Sequence, residues 1–143
     1  MPGAPDAWVL DTSALLCLKA DEPGASGVDE VLREGGRHGK VFVSFMSLME
    51  YYYIRQQTFG EVEARKGYLE LKQLPIIVVE SDEELGLMAA GIKATWRLSV
   101  ADAWVAATAE RLGAVLVHKD PEFEPLKGRI VLRSLPYKGS KSR

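Results

Sequence analysis

Four acidic residues lie within or just after apolar stretches of the sequence, where a charged group needs a partner. Asp11 ends the apolar run WVL, and Asp120 closely follows the run AVLV. Glu50 and Asp102 lie in segments whose apolar residues recur at helical spacing. A buried carboxylate is destabilising unless it is paired or binds a metal ion. These four residues are therefore the candidates for the chemistry of this protein.

A cluster of these carboxylates would require a cation. Two carboxylates about 4 Å apart repel each other by roughly 4 kcal/mol at an effective dielectric of 20, and a domain is stable by only about 5–15 kcal/mol. Lys119 is adjacent in sequence to Asp120. Oxygen ligands without nearby cysteine, however, suit a hard divalent cation such as Mg²⁺ or Mn²⁺. Such an ion can activate water and polarise a phosphoryl oxygen, which is the chemistry of phosphodiester hydrolysis.

Asp11 and Asp120 also have a purely structural interpretation. Aspartate is among the preferred residues at the N-cap of a helix, so Asp11 could cap the helix that follows it. Asp120 is followed by Pro121, and this pair is typical of the start of a helical turn. Neither residue identifies a functional site by itself.

Glu50 and Asp102 have structural alternatives as well. Glu50 could reach past the core to solvent, or pair with Arg55 or Lys66. Asp102 could complete a capping box with Ser99 in the first turn of its helix. That helix is apolar on most faces beyond its first turn, so Asp102 must face either the core or a cleft, and both positions require compensation.

Strand-like and helix-like segments alternate along the chain. We predict strands at 8–10, 41–43, 76–79 and 114–117, with an edge strand at 130–132. Helices are predicted at 14–20, from a first turn at Pro23 to the glycines at 35–39, from 47 to Gly60, at 61–74, after a cap at Ser81 or Asp82, and from Ser99 to Gly113. This alternation predicts an α/β fold with a mainly parallel sheet, in which Asp11 and Asp120 lie at the same edge.

The composition indicates one ordinary globular domain. The chain has 143 residues, 47% of them hydrophobic and 27% charged, which suits a single core. Cys17 is the only cysteine, which excludes an internal disulfide or a thiolate metal cluster and indicates a reducing compartment. No signal peptide or membrane span is expected, so we predict a cytoplasmic protein. The net charge of −2 argues against a broad, sequence-blind nucleic-acid coat, but it does not exclude nucleic acid as a substrate.

Four segments in order, VLDTSALL, SLMEYYY, SVADAWVAATAERLGAVLV and HKDPEF, resemble the PIN domain, and within it the VapC type of toxin ribonuclease. The resemblance spans nearly the whole chain and keeps the order of the family's four acidic positions. It implies a three-layer α/β/α sandwich with a mainly parallel central sheet over residues 1–136. The basic tail at 137–143 has little to bury, and we expect it to be disordered.

The resemblance also implies an activity. It is that of a Mg²⁺- or Mn²⁺-dependent endoribonuclease that leaves a 5′-phosphate and acts as the toxin of a type II toxin–antitoxin pair. Asp11, Glu50, Asp102 and Asp120 would be the metal ligands, and the hydroxyl of Ser13 would position the metal or its water. The implied partners are an RNA substrate, a small antitoxin protein and a second copy of the chain in a homodimer.

One residue departs from the family pattern. The position two residues before the last acid is commonly Thr or Ser, and here it is His118. It could make a local hydrogen bond at the end of its strand, or it could support the site or transfer a proton.

Other residues near the motifs are less informative. Tyr51, Tyr52 and Tyr53 favour core or interface packing over base stacking. Lys93, Arg97 and Lys119 are candidates for contacts with a phosphate backbone, although solvated helix ends explain the first two equally well.

Two other functions compete with the nuclease. The first is a non-catalytic binding module whose acidic pocket holds an arginine of a partner. The second is a phosphate-handling domain on a similar sheet, which is disfavoured because the sequence lacks an Asp-x-Asp pair after the first strand and a glycine-rich phosphate loop.

Overall fold

Strands and helices alternate along the chain in a computed structural model that describes residues 6–139. The strands are β1 (Trp8–Leu10), β2 (Val41–Ser44), β3 (Ile77–Val79), β4 (Val115–His118) and β5 (Leu132–Ser134). The helices are α1 (Thr12–Lys19), α2 (Ala25–Gly36), α3 (Phe45–Phe59), α4 (Glu61–Leu71), α5 (Glu83–Thr95) and α6 (Val100–Leu112), and a 3₁₀ helix spans Pro121–Leu126. Within residues 6–139, no helix has both the length and the apolar character needed to cross a lipid bilayer.

The five strands form one sheet in the order β3-β2-β1-β4-β5, and every pairing is parallel. Parallel neighbours need crossover connections, and the helices of these connections cover both faces of the sheet. Two separate hydrophobic clusters result, one on each face. The predicted α/β class and the three-layer α/β/α sandwich with a parallel central sheet are therefore confirmed.

Strand β1 occupies the centre of the sheet because its side chains are buried on both faces. Val9 and Leu10 are fully buried. Successive strand residues point to opposite faces, so Val9 packs into the cluster that includes α5 and α6, and Leu10 packs into the cluster that includes α1 and α2. The apolar run before Asp11 thus fixes Asp11 at the middle of one sheet edge.

The predicted edge strand at 130–132 is wrong by about two residues. The N–H of Ile130 bonds to the carbonyl of Leu126 at 2.9 Å and closes the 3₁₀ segment. Strand β5 therefore begins at Leu132, which pairs with Leu116 of β4. Ile130 packs in the hydrophobic core but does not belong to the sheet, so its apolar side chain did not indicate a strand.

The helix predicted to end at the glycines 35–39 does so, because α2 ends at Gly36 and Gly35 lies in its last turn. A Cβ at this position would lie 2.7 Å from the ring of Trp8. Glycine is also needed at this position because α2 approaches β1 closely. Gly113 ends α6 in the left-handed conformation, as predicted.

The first residues of the predicted tail contact the domain. The Tyr137 hydroxyl donates to Glu124, and Nζ of Lys138 lies 3.1 Å from a carboxylate oxygen of Glu22. The expected disorder of residues 140–143 concerns positions outside the described range.

Candidate metal centre

Two of the predicted ligands, Asp11 and Asp120, follow the ends of the neighbouring strands β1 and β4. Asp11 is the N-cap of α1, and its Oδ2 accepts a hydrogen bond from the Ser13 N–H at 3.0 Å. Asp120 is the N-cap of the 3₁₀ helix, and its Oδ1 accepts from the Glu122 N–H at 2.9 Å. The capping interpretation of both residues is therefore correct. It is compatible with a functional role, because capping uses one oxygen of each carboxylate.

Glu50 lies half-buried in the second turn of α3 and is tied to the start of α1. Its Oε1 accepts a hydrogen bond from the Thr12 hydroxyl at 2.6 Å. The alternative pairing with Arg55 or Lys66 does not form: Arg55 lies over the ring of Phe59, and Lys66 pairs with an acidic side chain of its own helix. Because Thr12 follows Asp11 directly, the hydrogen bond places Glu50 beside the end of β1.

Asp102 lies in the first turn of α6 and is buried, with 5% of its surface exposed. Its N–H donates to the Ser99 hydroxyl at 3.0 Å, which is one half of the predicted capping box. Its carboxylate faces the end of β4: oxygens of Asp102, Asp120 and Glu122 all lie within 4.8 Å of one another. The cap of α6 therefore orients the helix so that Asp102 faces the other acids.

Glu122 is a site residue that the sequence analysis missed. It is exposed and lies in the 3₁₀ helix, where its N–H is held by Asp120. The signal was present in the motif HKDPEF, because a turn that starts at Asp120-Pro121 brings the residue after the proline back toward the cap. The close group of carboxylates among the described residues is therefore Asp102, Asp120 and Glu122, and the predicted ligands Asp11 and Glu50 lie outside it.

The acids perturb one another electrostatically. Burial raises the pKa of Asp11 to about 6; the hydrogen bonds from Ser13 oppose this shift, and the charges of Glu50 and Asp120 add to it. Burial also raises the pKa of Asp102 far above its ordinary value, with further contributions from the charge of Asp11 and from contacts with Glu122 and Asp120. Neighbouring acids contribute to both shifts, so Asp11 and Asp102 each lie close enough to other carboxylates to interact with them electrostatically.

Among residues 6–139, no side-chain cation pairs with the acids of this centre. Nζ of Lys119, the candidate nearest in sequence, points away and lies 3.0 Å from Glu22 and 3.1 Å from the carbonyl oxygen of Pro23. Within residues 6–139, no lysine, arginine or histidine nitrogen lies within 4.0 Å of a carboxylate oxygen of the five acids. The negative charge must therefore be balanced from outside the described chain or by protonation.

The donor set fits a divalent metal ion. Oδ1 of Asp11 is buried and has no hydrogen-bond partner among the described residues. A buried anionic oxygen without a partner is strongly destabilising, and coordination to a cation would remove that penalty. All five side chains offer carboxylate oxygens, which suits Mg²⁺ or Mn²⁺ better than a soft metal.

Ser13 connects the two strand ends. Its hydroxyl donates to Oδ2 of Asp11 at 2.5 Å and accepts from the Lys119 N–H at 2.8 Å. The side chain therefore orients Asp11 and ties it to the segment that leads to Asp120.

His118 is fully buried at the end of β4. Its Nδ1 accepts a hydrogen bond from the Asp120 N–H at 3.1 Å. The predicted local hydrogen bond is therefore present. Burial lowers the pKa of His118, so the ring is neutral near pH 7.

The three consecutive tyrosines lie in different environments. Tyr51 is buried in the core, and Tyr52 packs edge-on against Tyr68 at 5.7 Å between ring centroids. Tyr53 is 41% exposed. Core packing is thus confirmed for Tyr51, and Tyr53 is the one of the three with a substantially exposed ring.

A parallel α/β/α sandwich with an acidic centre at the carboxyl edge of its sheet defines the structural class of this protein. The sequence profile of the PIN domain family matches residues 8–128. This range includes all five acids of the centre, and the chain belongs to the PIN domain family. No curated protein matches the chain in sequence.

Several solved structures have a similar fold. The VapBC complex of Salmonella typhimurium bound to DNA is 19% identical, with a TM-score of 0.71 over 90% of this chain and 97% of that one. The VapBC2 complex of Rickettsia felis, bound to a promoter DNA fragment, is 12% identical, with a TM-score of 0.69 over 91% and 99%. VapC20 of Mycobacterium tuberculosis, a toxin that cleaves the sarcin–ricin loop, is 15% identical, with a TM-score of 0.68 over 87% and 97%. At these identities the similarity establishes the fold.

Proposed function

We propose that this protein is a Mg²⁺- or Mn²⁺-dependent endoribonuclease and the toxin of a type II toxin–antitoxin pair. The main supporting observation is the group of Asp102, Asp120 and Glu122, whose carboxylate oxygens lie within 4.8 Å of one another, together with the buried Oδ1 of Asp11, which has no hydrogen-bond partner among the described residues. Membership of the PIN domain family supports the same conclusion.

The proposed roles follow from the contacts of each residue. Asp11, Glu50, Asp102 and Asp120 would hold the ion, and Glu122, whose oxygen lies within 4.8 Å of oxygens of Asp102 and Asp120, would contribute a further ligand. A bound ion would supply polarisation of the scissile phosphodiester and would make water more acidic. The hydroxyls next to Asp11 orient the ligands: Ser13 holds Asp11, and Thr12 holds Glu50.

The partners are proposed by analogy with the neighbours of known structure. VapC20 cleaves the sarcin–ricin loop, an RNA, and other neighbours are VapBC toxin–antitoxin complexes. For this chain we propose an RNA substrate, a small antitoxin protein and a homodimer, acting in the cytoplasm.

The test is cleavage of a panel of structured cellular RNAs by the purified protein. We expect cleavage with Mn²⁺ that leaves 5′-phosphate ends, and no cleavage in excess EDTA. Asp102→Asn should reduce cleavage by about 100-fold or more, because it removes a charged oxygen from the centre. Asp29→Asn is the matched control, because Asp29 is exposed and pairs with Arg33 of its own helix. Undiminished cleavage in EDTA would refute the proposal.

A non-catalytic module remains the second candidate, favoured by the same unneutralised acids. In this alternative a partner's arginine occupies the acidic pocket. It predicts partner binding that Asp102→Asn weakens, and no RNA cleavage at any Mn²⁺ concentration.

A further inference from the structure

The hydrogen bond between His118 and Asp120 closes a small ring at the end of β4. The side chain of one residue accepts from the main-chain N–H two residues later, at 3.1 Å. This is the arrangement by which Asn and Asp side chains fix turns. In this chain an imidazole takes the place of the amide or carboxylate.

The bond is one of three that hold the backbone between β4 and the 3₁₀ helix. The carbonyl of His118 accepts from the Leu135 N–H at 2.7 Å, and the Lys119 N–H donates to the Ser13 hydroxyl at 2.8 Å. The next N–H, that of Asp120, is the one that donates to the imidazole. Each of these contacts restricts the backbone, and together they set the direction in which Asp120 leaves the sheet.

Neighbouring aromatic rings hold the imidazole in place. His118 packs edge-on against Phe123, with 5.1 Å between ring centroids, and lies 6.1 Å from the ring of Tyr137. Phe123 is itself fully buried. The acceptor nitrogen is therefore fixed on a rigid support, and its own orientation does not depend on solvent.

The geometry also defines the tautomer of His118. An acceptor nitrogen must have a free lone pair, so the proton of the neutral ring is on Nε2. Nε2 is buried and has no hydrogen-bond partner among the described residues. Because the imidazole uses Nδ1 for the backbone, it does not offer that atom to a metal or a substrate.

We propose that His118 is a positioning residue that fixes the main chain of Asp120 and thereby aims Asp120 and Glu122 at the metal centre. The connection to Glu122 runs through the N-cap bond from its N–H to Oδ1 of Asp120. The proposal rests on the proposed metal centre, and His118 acts on the metal only through these two carboxylates.

The first experiment uses the unsubstituted, metal-free protein. Long-range ¹H–¹⁵N spectra of the ¹⁵N-histidine-labelled protein near pH 7 report which ring nitrogen has the proton. We expect His118 to be the Nε2–H tautomer, and the exposed His38 serves as the internal reference. A proton on Nδ1 of His118 would overturn the proposal without any variant and without any metal.

The second experiment measures Mn²⁺ affinity by calorimetry in matched variants. His118→Leu fills the site but has no acceptor, and we expect its Kd for Mn²⁺ to rise about 10-fold or more. His118→Asn restores an acceptor near the position of Nδ1 and should stay within about threefold of the unsubstituted protein. His38→Asn is the control for loss of a histidine.

The outcomes separate this proposal from the proposed function. If the unsubstituted protein does not bind Mn²⁺, the metal centre itself is refuted. If it binds and a folded His118→Leu binds equally well, only the positioning role is refuted. Thermal unfolding in EDTA checks the fold of each variant. If His118→Leu does not fold, His118→Ala replaces it in the affinity measurement, and a proton on Nδ1 of the unsubstituted protein would still refute the proposal.

Discussion

Asp11 illustrates how a single buried carboxylate can limit the stability of the metal-free protein. Its pKa is raised to about 6, chiefly because it is buried. In the unfolded chain the same group titrates near 3.8. Between these two pH values the folded state binds a proton that the unfolded state has released, so the contribution of Asp11 to stability decreases as the pH rises.

The pH dependence of the free energy of unfolding tests whether the contribution of Asp11 decreases as the pH rises. Asp11→Asn removes the titration, so we expect the free energy of unfolding of the variant, minus that of the unsubstituted protein in EDTA, to grow by about 2 kcal/mol from about pH 4.5 to pH 7. The difference is needed because His118, whose pKa is lowered by burial, has the opposite slope in this window. Urea titrations at several pH values measure it. If this difference in the free energy of unfolding decreases as the pH rises, the raised pKa of Asp11 is contradicted.

Glu122 gives a second prediction for a single residue. Glu122→Gln removes a charged oxygen that lies within 4.8 Å of oxygens of Asp102 and Asp120. We expect Mn²⁺ to bind about 10-fold more weakly, because Mn²⁺ prefers charged oxygen ligands. Glu124→Gln is the matched control on the same turn, where the residue contacts Tyr137 instead. Equal Mn²⁺ affinities of the two variants would exclude Glu122 from the centre.

At the level of secondary structure, the acids share a position at or near the beginning of a helix. Asp11 and Asp120 are N-caps, Asp102 is in the first turn of a capped helix, and Glu50 is in the second turn of α3. In a parallel α/β sheet the helices begin at the carboxyl edge of the strands, so these helix starts converge. The positive ends of the helix dipoles partly offset the negative charge collected there.

The cap of α6 gives a prediction at this level. Ser99→Ala removes the acceptor for the Asp102 N–H and should lower the free energy of unfolding by about 1 kcal/mol. Ser99→Asp keeps an acceptor for the Asp102 N–H and should lower the free energy of unfolding much less than Ser99→Ala does. Urea denaturation in EDTA measures both variants. A Ser99→Ala protein as stable as the unsubstituted one would show that the cap does not hold the start of α6.

At the level of the whole molecule, the centre is a product of the strand order. Placing β1 beside β4 brings Asp11 and Asp120 together, and the Ser13 to Lys119 hydrogen bond spans a sequence separation of 106. An ion that binds this arrangement binds only the folded chain. Metal binding and global stability are therefore coupled.

This coupling predicts stabilisation by metal. At a Mn²⁺ concentration about 100 times the Kd, the free energy of unfolding should increase by about 2.7 kcal/mol, because the unfolded chain does not assemble the site. Calorimetric Tm measurements with and without Mn²⁺ detect the effect. Asp102→Asn should be more stable than the unsubstituted protein in EDTA, by about 2 kcal/mol, and should gain little from Mn²⁺. A Tm that does not respond to Mn²⁺ would argue against the centre.

Features that depend on local chemistry could be predicted from the sequence. The apolar run before Asp11, the caps at Ser99 and Asp120, and the stop at Gly113 depend on neighbouring residues, and the structure agrees with them. The alternation of strands and helices then predicts a parallel sheet, because parallel strands need helical crossovers. These local signals predicted the fold class and the four candidate acids.

Features that depend on contacts between distant segments were decided only by the tertiary structure. Lys119 is next to Asp120 in sequence but pairs with Glu22, and Gly35 must be glycine because the Trp8 ring packs against the last turn of α2. The presence of Glu122 among the acids and the acceptor role of His118 follow from how the 3₁₀ helix closes over the end of β4. Sequence patterns report the period and polarity of each element, whereas charge partners and close contacts are fixed only when the elements pack.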